Sequence, residues 1–267
     1  MRAPKSGTDW VIPWHPKQGQ VDASLLEGFD AVIHLAGENI AGRWNPAKKA
    51  RIRISRIAST RFLAETLAGL RHPPTVFACA SAIGYYGNRG DELLTEESSN
   101  GTGFMAEVCR DWEAATAPAQ TAGIRTVNLR FGVVLDPSAG ALHEMLLPFR
   151  LGLGGRIGSG NQFWSWISLL DTIAAILHTL EHPDLHGPIN IVAPHPVRNH
   201  EFTAALAAVL HRPAVLPVPA FALRMFLGEM ADEALLASVR VEPKKLVESS
   251  FEFLHPDLRQ VLRELLG

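Results

Sequence analysis

The stretch Thr75–Glu92, T-V-F-A-C-A-S-A-I-G-Y-Y-G-N-R-G-D-E, decides how the rest of the chain is read. Its first six residues, Thr75 to Ala80, are apolar, β-branched at the start, and preceded by Pro73-Pro74. A short apolar run bounded by turn residues predicts a central strand buried on both faces. At its carboxyl end stand Ser81, Gly84, Tyr85, Tyr86 and two further glycines. Open parallel sheets bind ligands outside the carboxyl ends of their strands. A hydroxyl and two phenols placed there are candidates for the floor of a site. A strand running into a glycine-rich turn has the same pattern, so neighbouring segments must decide.

Upstream, Asp30–Gly37 (D-A-V-I-H-L-A-G) predicts a strand ending in small residues that let a ligand approach the backbone. Trp10–Trp14, interrupted by Pro13, is an edge strand at best, and Val21–Gly28 a short helix. Asn45-Pro46 carries the cap and first-turn chemistry of a helix running to Gly69. Its expected buried stripe is Ala50, Ile54, Ile57, Ala58, Ala64 and Ala68. Arg51, Arg53 and Arg56 cluster on it. Such charges commonly form a solvated face, and one or two of them reaching an anionic ligand is the alternative.

Downstream, an acidic loop (Asp91–Ser99) precedes a helix over Phe104–Ala122, with Met105, Val108, Cys109 and Trp112 on one side. Pro118 must kink or end that helix, and Gly123 closes it. Thr126–Leu135 predicts a strand and Asp136-Pro137 a turn. Strand, helix, strand, helix, strand implies right-handed crossovers and a parallel sheet with helices on both faces. A helix over Leu142–Leu151 leads into G-L-G-G-R-I-G-S-G (152–160). That loop lacks G-x-G-x-x-G spacing and follows a helix, so it is expected to be a mobile loop over the cleft. Phe163–Ile167, Asp171–Glu181 and Pro188–Val192 are expected as strand, helix and strand, with Asn199 capping a helix to Leu210. Beyond Pro213 several short helices are expected to form a small C-terminal lobe.

Composition bounds the answer. The chain has 267 residues, 47% apolar and 19% charged, with net charge −2. That suits an α/β domain with a smaller lobe. Lysine and arginine are scattered outside 48–61, so neither a nucleic-acid nor a membrane-surface partner is expected. The two cysteines, Cys79 and Cys109, fall in the strand and helix above, which suggests a reduced, cytoplasmic setting. No apolar run is long enough to span a bilayer, and M-R-A-P-K-S has no signal-peptide core. His182 and His186 are four apart but flanked by Pro183 and Gly187, which argues against a metal site.

Five segments together carry a resemblance: H-L-A-G-E-N-I-A-G-R-W-N (34–45), S-A-I-G-Y-Y-G (81–87), L-R-F-G-V-V-L (129–135), F-R-L-G-L-G-G-R-I-G-S-G (149–160) and W-S-W-I (164–167). They resemble the extended, epimerase-like branch of the short-chain dehydrogenase/reductase superfamily, within the group of epimerase family proteins with a helical C-terminal domain. The resemblance implies a Rossmann-like domain over 1–195, with a substrate loop at 140–170, and a helical domain over 196–267. It implies NADP as cofactor and a small-molecule substrate. By resemblance, Leu35, Ala36 and Gly37 face the adenosine and diphosphate, and Arg51 and Arg56 add contacts. Gly132, Val133 and Val134 then lie by the nicotinamide, while Ser81 hydrogen-bonds a substrate carbonyl and Tyr85 faces substrate. Arg2, in Arg-x-Pro, would meet the 2′-phosphate, where a fork of N–H donors suits the anion.

The sequence departs from the family twice. The family opens on a strand and a G-x-x-G-x-x-G turn that cradles the diphosphate, and this sequence starts after it, so a unit of roughly 30 residues is expected to be missing. The superfamily's Tyr-x-x-x-Lys pair is also absent: Phe104–Glu113 holds neither residue. Tyr85 and Arg89 have Tyr-x-x-x-Arg spacing on a loop, and an arginine there could lower the phenol's pKa. Two functions follow. One is an NADP-dependent oxidoreductase or epimerase-like enzyme using Ser81 and Tyr85. The other is a non-catalytic dinucleotide-binding or interaction protein.

Overall fold

The computed structural model describes residues 12–267; Arg2 and part of the Trp10–Trp14 run lie outside them. A four-stranded parallel sheet has the spatial order Gly187–Ile191, Arg125–Phe131, Val76–Ala82, Ala31–His34. Val76–Ala82 is flanked on both sides and buried up to Ser81, as its unbroken apolar run predicts. Its side chains alternate between two layers of helices. Val76 and Ala78 meet Ala175 and Ile176 of the Leu169–Glu181 helix. Phe77 and Cys79 meet Leu63, Ala64 and Leu67 on one helix and Trp112 on another. This is the doubly wound α/β arrangement with a Rossmann-like sheet.

The helix after Asn45 begins as expected: the Asn45 side chain accepts from Lys48 N–H at 2.8 Å, with Pro46 in the first turn. Its buried stripe differs from the expected one. A π-turn at Ile54–Ala58 separates Pro46–Arg53 from Ser59–Ala68. One inserted residue rotates everything after it by about 100°. The buried residues are consequently Ile52, Ser59, Thr60, Leu63, Ala64 and Leu67, while Ile54 is exposed.

Two other expected elements are split. Phe104–Ala122 is two helices, Phe104–Ala114 and Ala117–Thr121, with Pro118 in the first turn of the second. Met105, Val108, Cys109 and Trp112 are buried as expected. Thr126–Leu135 breaks at Gly132 into Arg125–Phe131 and Val133–Leu135. Gly132 N–H donates to Ile191 at 3.1 Å and Val133 N–H to Ser165 at 2.9 Å, so the chain leaves one ladder and enters another. Near the N-terminus, Trp14–His15 pairs antiparallel with Gln20–Val21, and the expected Val21–Gly28 helix is a single 3-10 turn, Ala23–Leu26.

Asn199 opens the Asn199–Leu210 helix but does not cap it. Its side chain accepts from Ile157 N–H at 2.7 Å, while Glu201 reaches back to Arg198 N–H at 2.7 Å. The glycine loop before it is threaded through a tight gap: a Cβ on Gly155 would overlap the Leu216 carbonyl. The helical C-terminal stretch returns to the sheet domain twice. Val261 and Leu262 share a core with Leu135, Leu142 and Trp166, and Arg240–Val241 adds a parallel ladder to Leu93–Leu94.

Candidate functional site

Strand register fixes where the candidate residues emerge. His34 pairs with Cys79, Ser81 with Arg130 and Ile191 with Phe131. The segments Leu35–Gly37, Ser81–Tyr86 and Gly132–Val134 therefore lie at one end of the sheet, its carboxyl end. Leu35, Ala36 and Gly37 are all exposed there, and Val133 and Val134 are half-buried. Leu35, Ala36 and Gly37 form an open shelf at the end of the edge strand, and Val133 and Val134 follow a strand two places away in the sheet.

The arginines divide. Arg51 is ion-paired with Glu38 at 3.1 Å and half-exposed. Arg56 is drawn under the shelf. Its guanidinium lies 5.0 Å from the Trp112 ring, and its Nη1 donates to the Glu38 carbonyl at 3.0 Å. A Cβ at Gly37 would come within 3.2 Å of that guanidinium, so glycine keeps the approach open. Burial lowers the Arg56 pKa, and its Nε is buried without a hydrogen-bond partner. An unmet buried donor costs about 1–3 kcal/mol. A donor in that state beside an exposed strand end suits an anionic ligand group.

Ser81 belongs to a chain of buried polar groups. Its Oγ donates to Glu113 Oε1 at 2.7 Å, and it is only 2% exposed. Arg130 grips the same carboxylate through Nε and Nη2, both at 2.8 Å, and donates from Nη1 to the Tyr86 hydroxyl at 2.9 Å. Tyr86 donates in turn to Asn190 at 2.7 Å, whose N–H donates to Glu96 at 3.0 Å. Burial opposes the Arg130 charge, but Glu113 outweighs it and holds the pKa above the usual value. Burial pushes the Tyr86 phenol up to about 12, against the pull of Arg130. Tyr86 is thus a structural link that stays protonated near neutral pH.

Tyr85 is half-buried, and the Arg130 guanidinium lies 3.5 Å from its ring centroid. Its expected partner is wrong. Arg89 turns away and holds Glu92 at 2.7 and 2.8 Å. The cation beside Tyr85 comes from mid-strand, and it sits on the face of the ring, not at the hydroxyl. Sequence reasoning missed Glu113 and Arg130. One signal was available: an arginine inside T-V-N-L-R-F must be buried, and a buried charge needs a partner.

A polar cavity of about 570 Å³ lies elsewhere, lined by Asn88, Asp91, Asn161, Gln162 and Arg198 among others. None of the candidate residues above lines it. Among the described residues no cluster of three or more metal-ligating side chains occurs, and no helix is long and apolar enough to cross a membrane.

A parallel sheet with helices on both faces and its small residues gathered at the carboxyl end defines a Rossmann-like protein. The model of the NAD dependent epimerase/dehydratase family matches residues 16–192, and the chain belongs to that family. A domain of unknown function, DUF1731, matches residues 218–265. The epimerase family protein Mb2239 of Mycobacterium bovis is 43% identical over 98% of this chain and 86% of its own length. A chloroplastic SDR39U1 homologue of Arabidopsis thaliana is 39% identical over 98% of the chain and 77% of its own. Among solved structures, human epimerase family protein SDR39U1 (isoform 2) with NADPH superposes with a TM-score of 0.86 at 34% identity, covering 90% of this chain and 83% of that one.

Proposed function

We propose that this protein is an NADP-dependent oxidoreductase of the epimerase-like kind, acting on a small molecule at the carboxyl end of its sheet. The observation that carries the reading is Arg56: a buried guanidinium with an unused donor, directly beneath the open Leu35–Ala36–Gly37 turn. Human SDR39U1, of the same fold and family, was solved with NADPH. When bound, the nicotinamide supplies the hydride; the protein orients it and excludes water.

The chain's own residues would divide the work as follows. Leu35, Ala36 and Gly37 form the surface against the adenosine and diphosphate, with Arg56 and Arg51 as cations behind it. Arg2, outside the described residues, meets the 2′-phosphate. Gly132, Val133 and Val134 border the nicotinamide. Tyr85 faces the substrate and is the proton-transferring hydroxyl. Ser81 is committed to Glu113 through its proton, so it positions the strand end or accepts a hydrogen bond; it has none to donate.

The test is fluorescence titration with NADPH and NADH on the full chain and on Arg56→Ala and Gly37→Val. NADPH binding tighter than NADH, weakened at least tenfold by either substitution, supports the reading. Equal affinities for the two cofactors in the wild type sink it.

A specific observation favours the second reading, a dinucleotide-binding protein without turnover. Met105 and Cys109 lie on the Phe104–Ala114 helix behind Gly84, with no lysine or tyrosine there. Burial holds the Cys109 thiol up at about 12, so it moves no proton near neutrality. Cofactor binding without turnover of any carbonyl or quinone compound would select this reading.

A further inference from the structure

The polar cavity of about 570 Å³ is walled by segments that lie far apart in the sequence. Asn88, Gly90 and Asp91 come from the loop after the Ile83–Tyr86 turn. Ser159, Asn161 and Gln162 come from the end of the glycine loop, Leu236 and Ser238 from the C-terminal stretch, and Arg198 completes the lining. Hydrogen bonds tie these walls to one another. Asn88 Oδ1 accepts from Ser238 N–H at 3.1 Å, and Ser238 Oγ donates to the Gly90 carbonyl at 2.6 Å. Arg198 Nη1 donates to the Asn161 carbonyl at 2.6 Å. The volume lies within the range of small-ligand sites, roughly 300–1,000 Å³.

Gln162 decides what the cavity can hold. It is 6% exposed and lines the space. Its amide nitrogen donates to two backbone carbonyls, Ile157 at 3.0 Å and Leu235 at 3.2 Å. Two acceptors at one end fix that end as nitrogen, which leaves Oε1 as the polar end free to face the cavity. That oxygen accepts from no described residue. Asn88 is its complement: Oδ1 is taken by Ser238 N–H, so its free end is the donor Nδ2. Ser159 Oγ accepts from Asn161 N–H at 3.2 Å and keeps its own proton to donate. Charge does not make the choice, because Asp91 and Arg198 neutralise one another at 3.1 Å in a pair open to solvent.

We propose that this cavity binds a neutral, polyhydroxylated compound, a sugar or cyclitol, at a site separate from the shelf at the sheet end. A ligand that covers the Gln162 oxygen without donating to it leaves a buried acceptor unmet. Sulfate has no donor to give. An ammonium group donates, but leaves Asn88 Nδ2 and the Ser159 hydroxyl without an acceptor. A hydroxyl does both. Leu236 adds an apolar wall for the C–H groups of a ring. The proposal does not depend on the oxidoreductase reading, because Leu35, Ala36, Gly37, Ser81 and Tyr85 are not in the lining.

The test is saturation-transfer NMR with maltose and with myo-inositol on the full chain and on three variants, with circular dichroism confirming that each is folded. Asn88→Asp keeps the oxygen that holds Ser238 and removes the free N–H. Gln162→Met removes the free oxygen, and Ser159→Phe fills the space. The expected result is saturable binding of at least one compound to the wild type, about tenfold weaker in Asn88→Asp and in Gln162→Met and abolished in Ser159→Phe. Gln162→Met also gives up two bonds to carbonyls; if it does not fold, the other two variants decide. NADPH affinity is expected to be the same in Asn88→Asp as in the wild type. The proposal is overturned if neither compound binds, the cavity then holding water alone, or if binding ignores the substitutions. It is also overturned if sodium sulfate or spermidine displaces the bound compound at a concentration below that compound's own; the site is then one for a charged ligand.

Discussion

Ser81 Oγ donates its proton to Glu113 Oε1 at 2.7 Å, the same oxygen that takes Arg130 Nε at 2.8 Å. A strand-end serine that would otherwise offer a hydrogen bond to a carbonyl is thereby committed to a buried carboxylate. The relationship separates two substitutions that look alike in the sequence. Ser81→Ala leaves the Arg130–Glu113 pair whole and is expected to cost about 1 kcal/mol of stability, the net worth of one hydrogen bond. Glu113→Gln leaves Arg130, whose side chain is 3% exposed, without its counter-charge. Removing one partner of a buried pair costs about 3–5 kcal/mol. Urea denaturation of both variants checks this; equal costs would show that Glu113 is not the anchor of the network.

Tyr85→Phe is the substitution that tests proton transfer. The ring keeps its stack on Arg130, 3.5 Å away, and only the hydroxyl is lost. Turnover of an accepted carbonyl or quinone compound is expected to fall at least tenfold, about 1.4 kcal/mol of barrier, with NADPH affinity unchanged. Retained turnover would place the proton donor elsewhere.

His34 makes the fold acid-sensitive. It is 5% exposed, between Ser59 Oγ at 3.4 Å and the Trp14 ring at 5.7 Å. Burial lowers its pKa from the ordinary 6.5 to about 4. Between those values the unfolded chain binds a proton that the folded chain refuses, so stability falls as pH drops from about 6.5 towards 4. The loss attributable to this residue is about 3 kcal/mol. His34→Leu, followed by urea denaturation across that window, is expected to flatten the pH dependence; an unchanged slope would assign the acid sensitivity to other groups.

Gly132→Ala probes the ladder switch. A Cβ there would stand 2.6 Å from the Ser165 carbonyl and 2.7 Å from Val192 Cγ1, both fixed by packing. Overpacking of this kind costs about 1–3 kcal/mol. Gly90, with open space where its Cβ would stand but a φ of +60°, gives a control whose cost is conformational only. A Gly132→Ala variant as stable as wild type by thermal denaturation would show that the two ladders can separate without loss.

Local pattern was enough for the sheet domain. Apolar runs such as Val76–Ala80, the Asn45-Pro46 helix start and the alternation of strand and helix depend on neighbouring residues only, and each appears where the sequence places it. That Ser81 and the Leu35–Gly37 turn stand at the carboxyl end of the sheet was legible for the same reason: both close short apolar runs that read as strands. What the tertiary structure decided are relationships with no local signature. The π-turn at Ile54–Ala58 shifts which face of a helix is buried, although the amino-acid pattern allows an unbroken helix. Tyr85 takes its cation from Arg130, 45 positions on and one strand over, because stacking across a sheet end is set by register, not by spacing along a loop. Glu113 meets Ser81 across 32 positions, and Glu233 closes a helix N-terminus from 129 positions away. Buried charge must find an opposite charge or donor wherever the fold brings one within reach, and the chain's order does not say where that will be.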